Sequence, residues 1–333
     1  MSSTKTSRLG SVIAFALSGL FIATAVFLFV NRQTVLDQLA VWTYEPAQQV
    51  QNISERVKFT PKGQFVFYAT HPSLESQEGF NKECPRQETG SPILGCYTTA
   101  DRIYIYDLTD EQLDGMEEVT AVHEMLHAVW HRTGETERKE LEKELRSAYA
   151  KLETGNIKER MDYYERTEPG ELVNELHSIL GTETDSLSPK LEKYYRQFFE
   201  RTAVLALHKK YSTVYEALYA RADELYSSMD ALGRSIDSRN KAYEAAVRQL
   251  SADINSFNAR ANNGSFSSQS QFNSERAALV RRTALLEADR EAINTDIQVY
   301  NGYYEEYQKI ASQIEGLNNS VDSYKQIEQG PSV

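Results

Sequence analysis

Two histidines stand four residues apart with a glutamate directly after the first: His123-Glu124-Met125-Leu126-His127, inside the run EEVTAVHEMLHAVW. On an α-helix, side chains at i and i+4 share a face one turn apart, so both imidazoles can hold one divalent ion while Glu124 stands beside it. The apolar residues around the motif recur at helical spacing, which places it on an amphipathic helix. A catalytic metal needs a third protein ligand and an open position for water. His131 does not qualify. It lies eight residues, about 12 Å of helix, from His123, too far for bonds of about 2.1 Å to a common ion, and it reads as a polar residue at the helix end.

The segment TEPGELVNELHSIL offers a better third ligand. Thr167 or Glu168 can cap a helix there, with Pro169 in its first turn. Leu172, Leu176 and Ile179 form the apolar stripe of that helix, and Glu175 falls on the stripe. A carboxylate on a buried face is costly unless it is paired or bound to metal, which favours Glu175 as a ligand. Glu171 sits in a solvated first turn, where the helix dipole suffices to explain it. His177 points about 200° away from Glu175, so the two cannot bind one ion from a regular helix.

HEMLH followed by a helix carrying NELHS resembles the gluzincin metallopeptidases, the thermolysin-like group with HExxH and a distant glutamate. The resemblance covers roughly residues 60 to 185. It implies an α+β, zincin-like catalytic domain with a small sheet, Zn2+ held by His123, His127 and Glu175, and Glu124 as general base. It also implies that RIYIYDL borders the cleft as an edge strand and pairs with an extended peptide substrate. The chain departs from the family in two ways. A charged helix at about Glu135 to Leu152 is inserted between the two motifs, and the C-terminal lobe that supplies the transition-state donor in thermolysin is missing. Tyr163, Tyr164 and His177 are the candidate donors in its place.

The positioning elements can be read around these motifs. Phe65 to Ala69 (FVFYA) and Arg102 to Leu108 (RIYIYDL) are β-branched and aromatic and read as strands. Between them lies a turn-rich stretch, Pro72 to Gly95, that includes Cys84. Cys84 and Cys96 are too few for a disulfide scaffold or a thiolate cage, but they can form one staple worth on the order of 3 kcal/mol. Helical spacing takes over after Asp110. From Leu218 apolar residues recur at steps of three and four through Leu225, Met229, Leu232, Ile236, Tyr243, Val247, Leu250, Ile254 and Phe257, with a stutter after Ile236. Asn262-Asn263-Gly264-Ser265 interrupts the pattern. A second heptad follows through Phe272, Leu279, Leu286, Ile293, Ile297, Tyr300, Tyr304, Tyr307, Ile314 and Val321. Two such helices read as an antiparallel coiled-coil hairpin about 80 Å long, or as an element that associates in trans with a protein partner or a second copy.

Val12 to Val30 reads VIAFALSGLFIATAVFLFV, 19 residues without a charge. At 1.5 Å per residue the run approaches the ~30 Å hydrocarbon thickness of a bilayer. It exceeds the usual signal-peptide core and is followed by no small-x-small cleavage pattern, which favours a retained anchor over a cleaved leader. Lys5 and Arg8 precede it, so the N-terminus is expected in the cytoplasm and the rest outside, where a disulfide persists. The formal net charge of −12 argues against a nucleic-acid partner. The expected organisation is a cytoplasmic segment at 1–11, an anchor at 12–31, a stalk at 32–56, a metallopeptidase-like domain at 57–204, the hairpin at 205–327 and a tail at 328–333. The expected function is a membrane-anchored, extracytoplasmic zinc endopeptidase acting on peptide or protein substrates. The competing expectation is an envelope scaffold with a structural or inactive metal site, and hydrolysis of a non-protein amide uses the same residues.

Overall fold

The computed structural model describes residues 5–86, 92–152, 156–167 and 170–324 and divides into two units, Val214–Gly316 and the remainder. The larger unit is mostly helical. Helix α1 (Lys5–Val30) carries the Val12–Val30 run, 19 residues long and apolar enough to cross a membrane. Helices α2 (Arg32–Thr43), α3 (Gln48–Val57) and α4 (Pro61–Ala69) follow, then β1 (Ser73–Glu75), α5 (Gln77–Glu83), β2 (Gly95–Tyr97) and β3 (Ile103–Tyr106). A 3-10 turn at Glu111–Leu113 leads into α6 (Met116–Arg132), α7 (Glu135–Leu152), α8 (Asn156–Thr167), α9 (Leu172–Glu183) and α10 (Pro189–Tyr195). Two long helices, α11 (Arg201–Asn262) and α12 (Gln269–Val321), complete the described chain.

Several elements differ from the sequence reading. FVFYA is the second half of α4 and not a strand. Thr60 caps that helix by accepting from the Gly63 N–H at 3.1 Å, and Pro61 opens it. A good cap and a preset φ override the β preference of five residues too few to show a period. Residues 32–56, expected as a polar, partly helical stalk, are helical, α2 and most of α3, but they are packed into the folded unit. Val50, Ile53 and Val57 of α3 are buried in the same core as Val119, Val122 and Leu126 of α6, so the folded unit begins before residue 57. The turn-rich stretch holds β1 and α5. RIYIYDL does contain β3, but β3 is the central strand of the order β1-β3-β2, parallel to β1 and antiparallel to β2. The edge nearer the chain's cysteines is β2. Thr167 ends α8 instead of capping α9, whose N-cap is Glu171; Glu168 and Pro169 lie outside the described residues, as does the expected 328–333 tail.

Cys84, at the end of α5, and Cys96, on β2, are joined by a disulfide with Cα atoms 5.9 Å apart. The last described turn is fixed to the same region. Asn81 donates to the Ser323 carbonyl at 3.1 Å, and Arg86 pairs with Asp322 while its guanidinium lies 4.5 Å from the Tyr324 ring.

In the smaller unit α11 and α12 run antiparallel, bridged by Arg221–Glu306, Arg239–Asp296, Asp253–Arg282 and Arg260–Glu275. The expected stutter is absent. Covered side chains step by four and three through Leu225, Met229, Leu232, Ile236, Arg239, Tyr243, Ala246 and Leu250, so Arg239 keeps the period by pairing across the seam. On α12 the covered positions include Ile293, Asp296, Tyr300, Tyr303, Tyr307 and Ile310, whereas Ile297 and Tyr304 are exposed.

Near the N-terminus of α6, Arg56 pairs with Glu118 at 2.7 Å and Asp114 at 2.9 Å, and Glu117 accepts from the Leu108 N–H at 2.6 Å. Burial, only partly opposed by that N–H, pushes the Glu117 carboxyl from 4.5 up to about 7. A folded pKa above the unfolded one means that the native state binds the proton more tightly, so stability falls as pH rises from about 4.5 through 7. Glu117→Gln keeps the acceptor and removes the charge. In thermal melts it is expected to match the wild type near pH 4 and to exceed it at pH 8 by about 1–2 kcal/mol, after discounting for partial exposure. Equal curves at both pH values would show that the carboxylate carries no strain.

Candidate metal centre

Helix α6 is covered almost all round. Val119, Ala121, Val122, Met125, Leu126, Ala128 and Val129 are buried, which is the pattern of a helix inside a core and not of a surface stripe. Its ends are electrostatically matched, with Glu117 and Glu118 in the first turn and His131 and Arg132 in the last. The sheet, α3 and α4 pack against it, and α9 packs against it most extensively. Gly181 allows that approach, because a Cβ there would lie 2.7 Å from Leu126 Cδ1 and 2.8 Å from Tyr195 Cε1.

The close packing brings three side chains together. His127 Nε2 lies 3.3 Å from Glu175 Oε1 and His123 Nε2 lies 3.5 Å from Glu175 Oε2. The three ligand atoms lie within 4.8 Å of one another, and the two imidazole rings are 4.9 Å apart, nearly perpendicular. Glu175 is 5% exposed and His127 8%, yet Glu175 Oε2 is buried without a hydrogen-bond donor. Burial would raise the Glu175 pKa, but His127, His123 and Arg160 overcome it and hold the carboxyl below its ordinary value. An ionised carboxylate, an unsatisfied buried oxygen and two converging imidazoles fit a divalent cation of the nitrogen- and oxygen-binding class. No other such group of His, Cys, Asp or Glu occurs among the described residues.

Supporting groups surround the triad, and some of them carry no signal in the sequence. Ser178, the serine of NELHS, has its Oγ 3.4 Å from His127 Nδ1; an Nδ1–H facing that oxygen leaves the Nε2 lone pair toward Glu175. On α8, Arg160 grips Glu183 of α9 with contacts of 2.5 and 3.0 Å, and His208 Nε2 lies 3.8 Å from the same carboxylate. No periodicity or motif marks Arg160 or Glu183 in the sequence. Glu124, one residue from His123, is 7% exposed and lies against β2 at Gly95, where a Cβ would be 2.9 Å from Glu124 Oε1 and 2.6 Å from Thr120 Cγ2.

The three candidate donors separate. His177 is fully buried, with Nε2 3.0 Å from the Tyr194 hydroxyl and its ring beside those of Trp130 and Tyr195. Burial, aided by His127 and His123, lowers its pKa to about 3. It is a neutral core residue, which corrects its candidacy as a donor to substrate. Tyr164 does share the electrostatic surroundings of the triad. Burial first, then the charges of Glu175 and Glu124, push its phenol upward, so it remains an O–H donor at neutral pH. Tyr163 packs edge-on against Tyr164, centroids 5.5 Å apart. His131 sits in the last turn of α6 with Nδ1 3.3 Å from the Tyr97 hydroxyl.

No family model matches the chain, and neither a curated protein nor a solved structure matches it. The geometry therefore stands by itself. Detergent-solubilised full-length protein equilibrated with zinc is expected to retain about one ion per chain, and Glu175→Ala to bind it more weakly by well over about tenfold. Atomic absorption after dialysis measures this, and undiminished retention in the variant would exclude Glu175 from the centre.

Proposed function

We propose that this chain is a membrane-anchored zinc endopeptidase whose folded portion lies outside the cytoplasm. The observation that carries the reading is the buried Glu175 carboxylate converging with the Nε2 atoms of His123 and His127. Three protein ligands without a fourth, among the described residues, suit a catalytic site better than a structural one, which is normally closed by four. That count weighs against the scaffold reading.

His123, His127 and Glu175 would hold the ion. When bound, zinc supplies Lewis acidity, acidifying a water in its open position and polarising the carbonyl under attack. Glu124 receives the proton of the attacking water on its carboxylate and passes it to the nitrogen of the leaving amine. Tyr164 is the donor best supported for the developing oxyanion, since its buried phenol feels the charges of both Glu175 and Glu124. The strand that borders Glu124 is β2, an edge of the sheet, and an extended peptide can add to such an edge as a further strand.

Helix α1 and the disulfide support the proposed compartment. Lys5 and Arg8 before the span favour a cytoplasmic N-terminus, and the Cys84–Cys96 disulfide suits the far side. The long hairpin would hold the peptidase near a protein partner or a second copy.

Two substitutions test the chemistry in the full-length protein with a fluorogenic peptide library. Glu124→Gln is expected to retain zinc and lose hydrolysis by about 10²- to 10⁴-fold. Equal turnover in variant and wild type rejects the mechanism. Gly95→Ala places a methyl against Thr120 Cγ2 and the Glu124 side chain together, so hydrolysis is expected to fall by at least about tenfold through a displaced base, with zinc retention and a thermal melt showing that the centre and the fold persist. Full activity in that variant would show that Glu124 does not need its place beside β2.

A further inference from the structure

Helix α2 has two faces of opposite character. One is fastened to the folded unit. Asp37 is 5% exposed and accepts from Arg132 Nη2 at 2.7 Å, Arg132 Nε at 3.0 Å and Gln33 Nε2 at 2.9 Å. Arg132 also donates to Asp101 at 2.7 and 3.0 Å, and Asp101 accepts from the Tyr97 hydroxyl of β2 at 2.8 Å. Beyond the end of α2, Tyr44 stacks on His71 with ring centroids 4.9 Å apart, and His71 Nε2 lies 2.8 Å from the Ala40 carbonyl. These contacts prevent the helix from rolling.

The other face is apolar and open. Leu36 is 52% exposed, Leu39 50% and Trp42 73%. At 100° per residue the three fall within an arc of about 120°, and the exposed Arg32 falls on the same arc. The only acidic residue of α2 is Asp37, on the fastened face. The stripe is also continuous with the apolar span, because one residue, Asn31, separates Val30 from Arg32. Helical hydrogen bonds cross the junction, Asn31 N–H to the Phe27 carbonyl and Val35 N–H to the Asn31 carbonyl, each at 3.0 Å, while the Asn31 φ/ψ of −102°/21° interrupts the regular helix.

We propose that the Leu36, Leu39 and Trp42 stripe lies in the lipid headgroup layer, with α2 inclined along the membrane surface and Arg32 facing lipid phosphates. The inference rests on reading α1 as a retained span. Lipid is the favoured occupant because a face one residue beyond the span is held at the bilayer boundary. Its composition, apolar side chains with a tryptophan and one cation, is also that of interfacial helices. The placement has a geometric consequence. If α2 continued along the membrane normal, Trp42 would sit about 18 Å past Val30, beyond a headgroup layer only about 5–8 Å deep in each leaflet. Trp42 meets lipid only if α2 is inclined. Through Arg132, nine residues and about 13 Å of helix after His123, the metal centre would then be held at a fixed height above the bilayer.

Trp42 and Trp130 are the two tryptophans of the chain, so the test is spectroscopic. Full-length protein is reconstituted in phosphatidylcholine vesicles brominated either near the headgroups or deep in the acyl chains, and emission is compared with that of Trp42→Phe. The component lost in Trp42→Phe is expected to be quenched about twofold or more by shallow bromines, less by deep ones, and to be shielded from aqueous acrylamide. Leu36→Ser/Leu39→Ser should abolish that quenching. Free access of acrylamide to Trp42 without bromine quenching, in protein that resists alkaline extraction, overturns the placement alone. Release of the protein by alkaline carbonate overturns the anchor and the placement together.

Discussion

The larger unit is organised around one costly feature, an ionised carboxylate removed from water between two imidazoles. The His127 tautomer that places Nδ1–H toward Ser178 Oγ, 3.4 Å away, gives Nε2 a lone pair, as both oxygens of Glu175 have. Lone pairs converging within 4.8 Å repel unless something positive stands among them. A proton between one imidazole and the carboxylate settles that pair alone; at Glu175 Oε2 the nearest imidazole nitrogen, His123 Nε2, stands 3.5 Å away, too long for a good hydrogen bond. A divalent ion settles all three ligands together. The packing therefore creates a demand for a cation that hydrogen bonding within the chain does not meet.

Everything that holds this arrangement acts on α6 and α9. Gly181 lets the two helices approach until Leu126 and Tyr195 fill the space a side chain would have taken. His177, neutral in the core between Tyr194, Tyr195 and Trp130, fixes the rotation of α9 and so aims Glu175 at α6. Arg160 contributes from α8, where its pairing with Glu183 keeps its charge despite burial and its field reaches Glu175. The neighbouring residues 175 and 177 thus divide the labour, one facing the centre and one locking the helix behind it.

The parts of this that the sequence discloses are those with a period. His123 and His127 are one turn apart at helical spacing, on a helix that is buried nearly all round and not amphipathic, and Glu175 is a charge where an apolar residue was due. The strand β3 is legible from its β-branched and aromatic residues; Ile103 and Ile105 are buried and Tyr104 half-buried, but Tyr106 is buried too, so the inside–outside alternation ends before the strand does. Elements of three residues, such as β1 and β2, are too short to show any pattern, so the central position of β3 could not be read. FVFYA misleads by composition, and the decisive signal, Thr60-Pro61, lies just outside it. Residues 32–56 read as polar because the anchoring group of α2 is itself a charge, Asp37, whose partner Arg132 is 95 residues away. The same blindness to distant partners made Arg239 look like a fault in the heptad when it is a cross-seam ion pair with Asp296. Local pattern reports burial well, and it reports poorly on polar residues whose burial depends on a partner far along the chain.

Helix α6 explains why the polar centre and the polar anchor can coexist in one element. Its middle is packed on all sides and carries the histidines. Its two ends carry charges that are paired outward, Glu118 with Arg56 at the first turn and Arg132 with Asp37 and Asp101 at the last. Each end pairing agrees in sign with the helix dipole, so the ends are stabilised where the backbone leaves its N–H and C=O groups unpaired. Because Arg132 bridges α2 and the Asp101 turn, and Tyr97 of β2 donates to that same turn, a displacement of α2 would act on both the helix with the histidines and the strand beside Glu124. Rigid coupling of this kind makes the orientation of α2 a determinant of what can reach the centre.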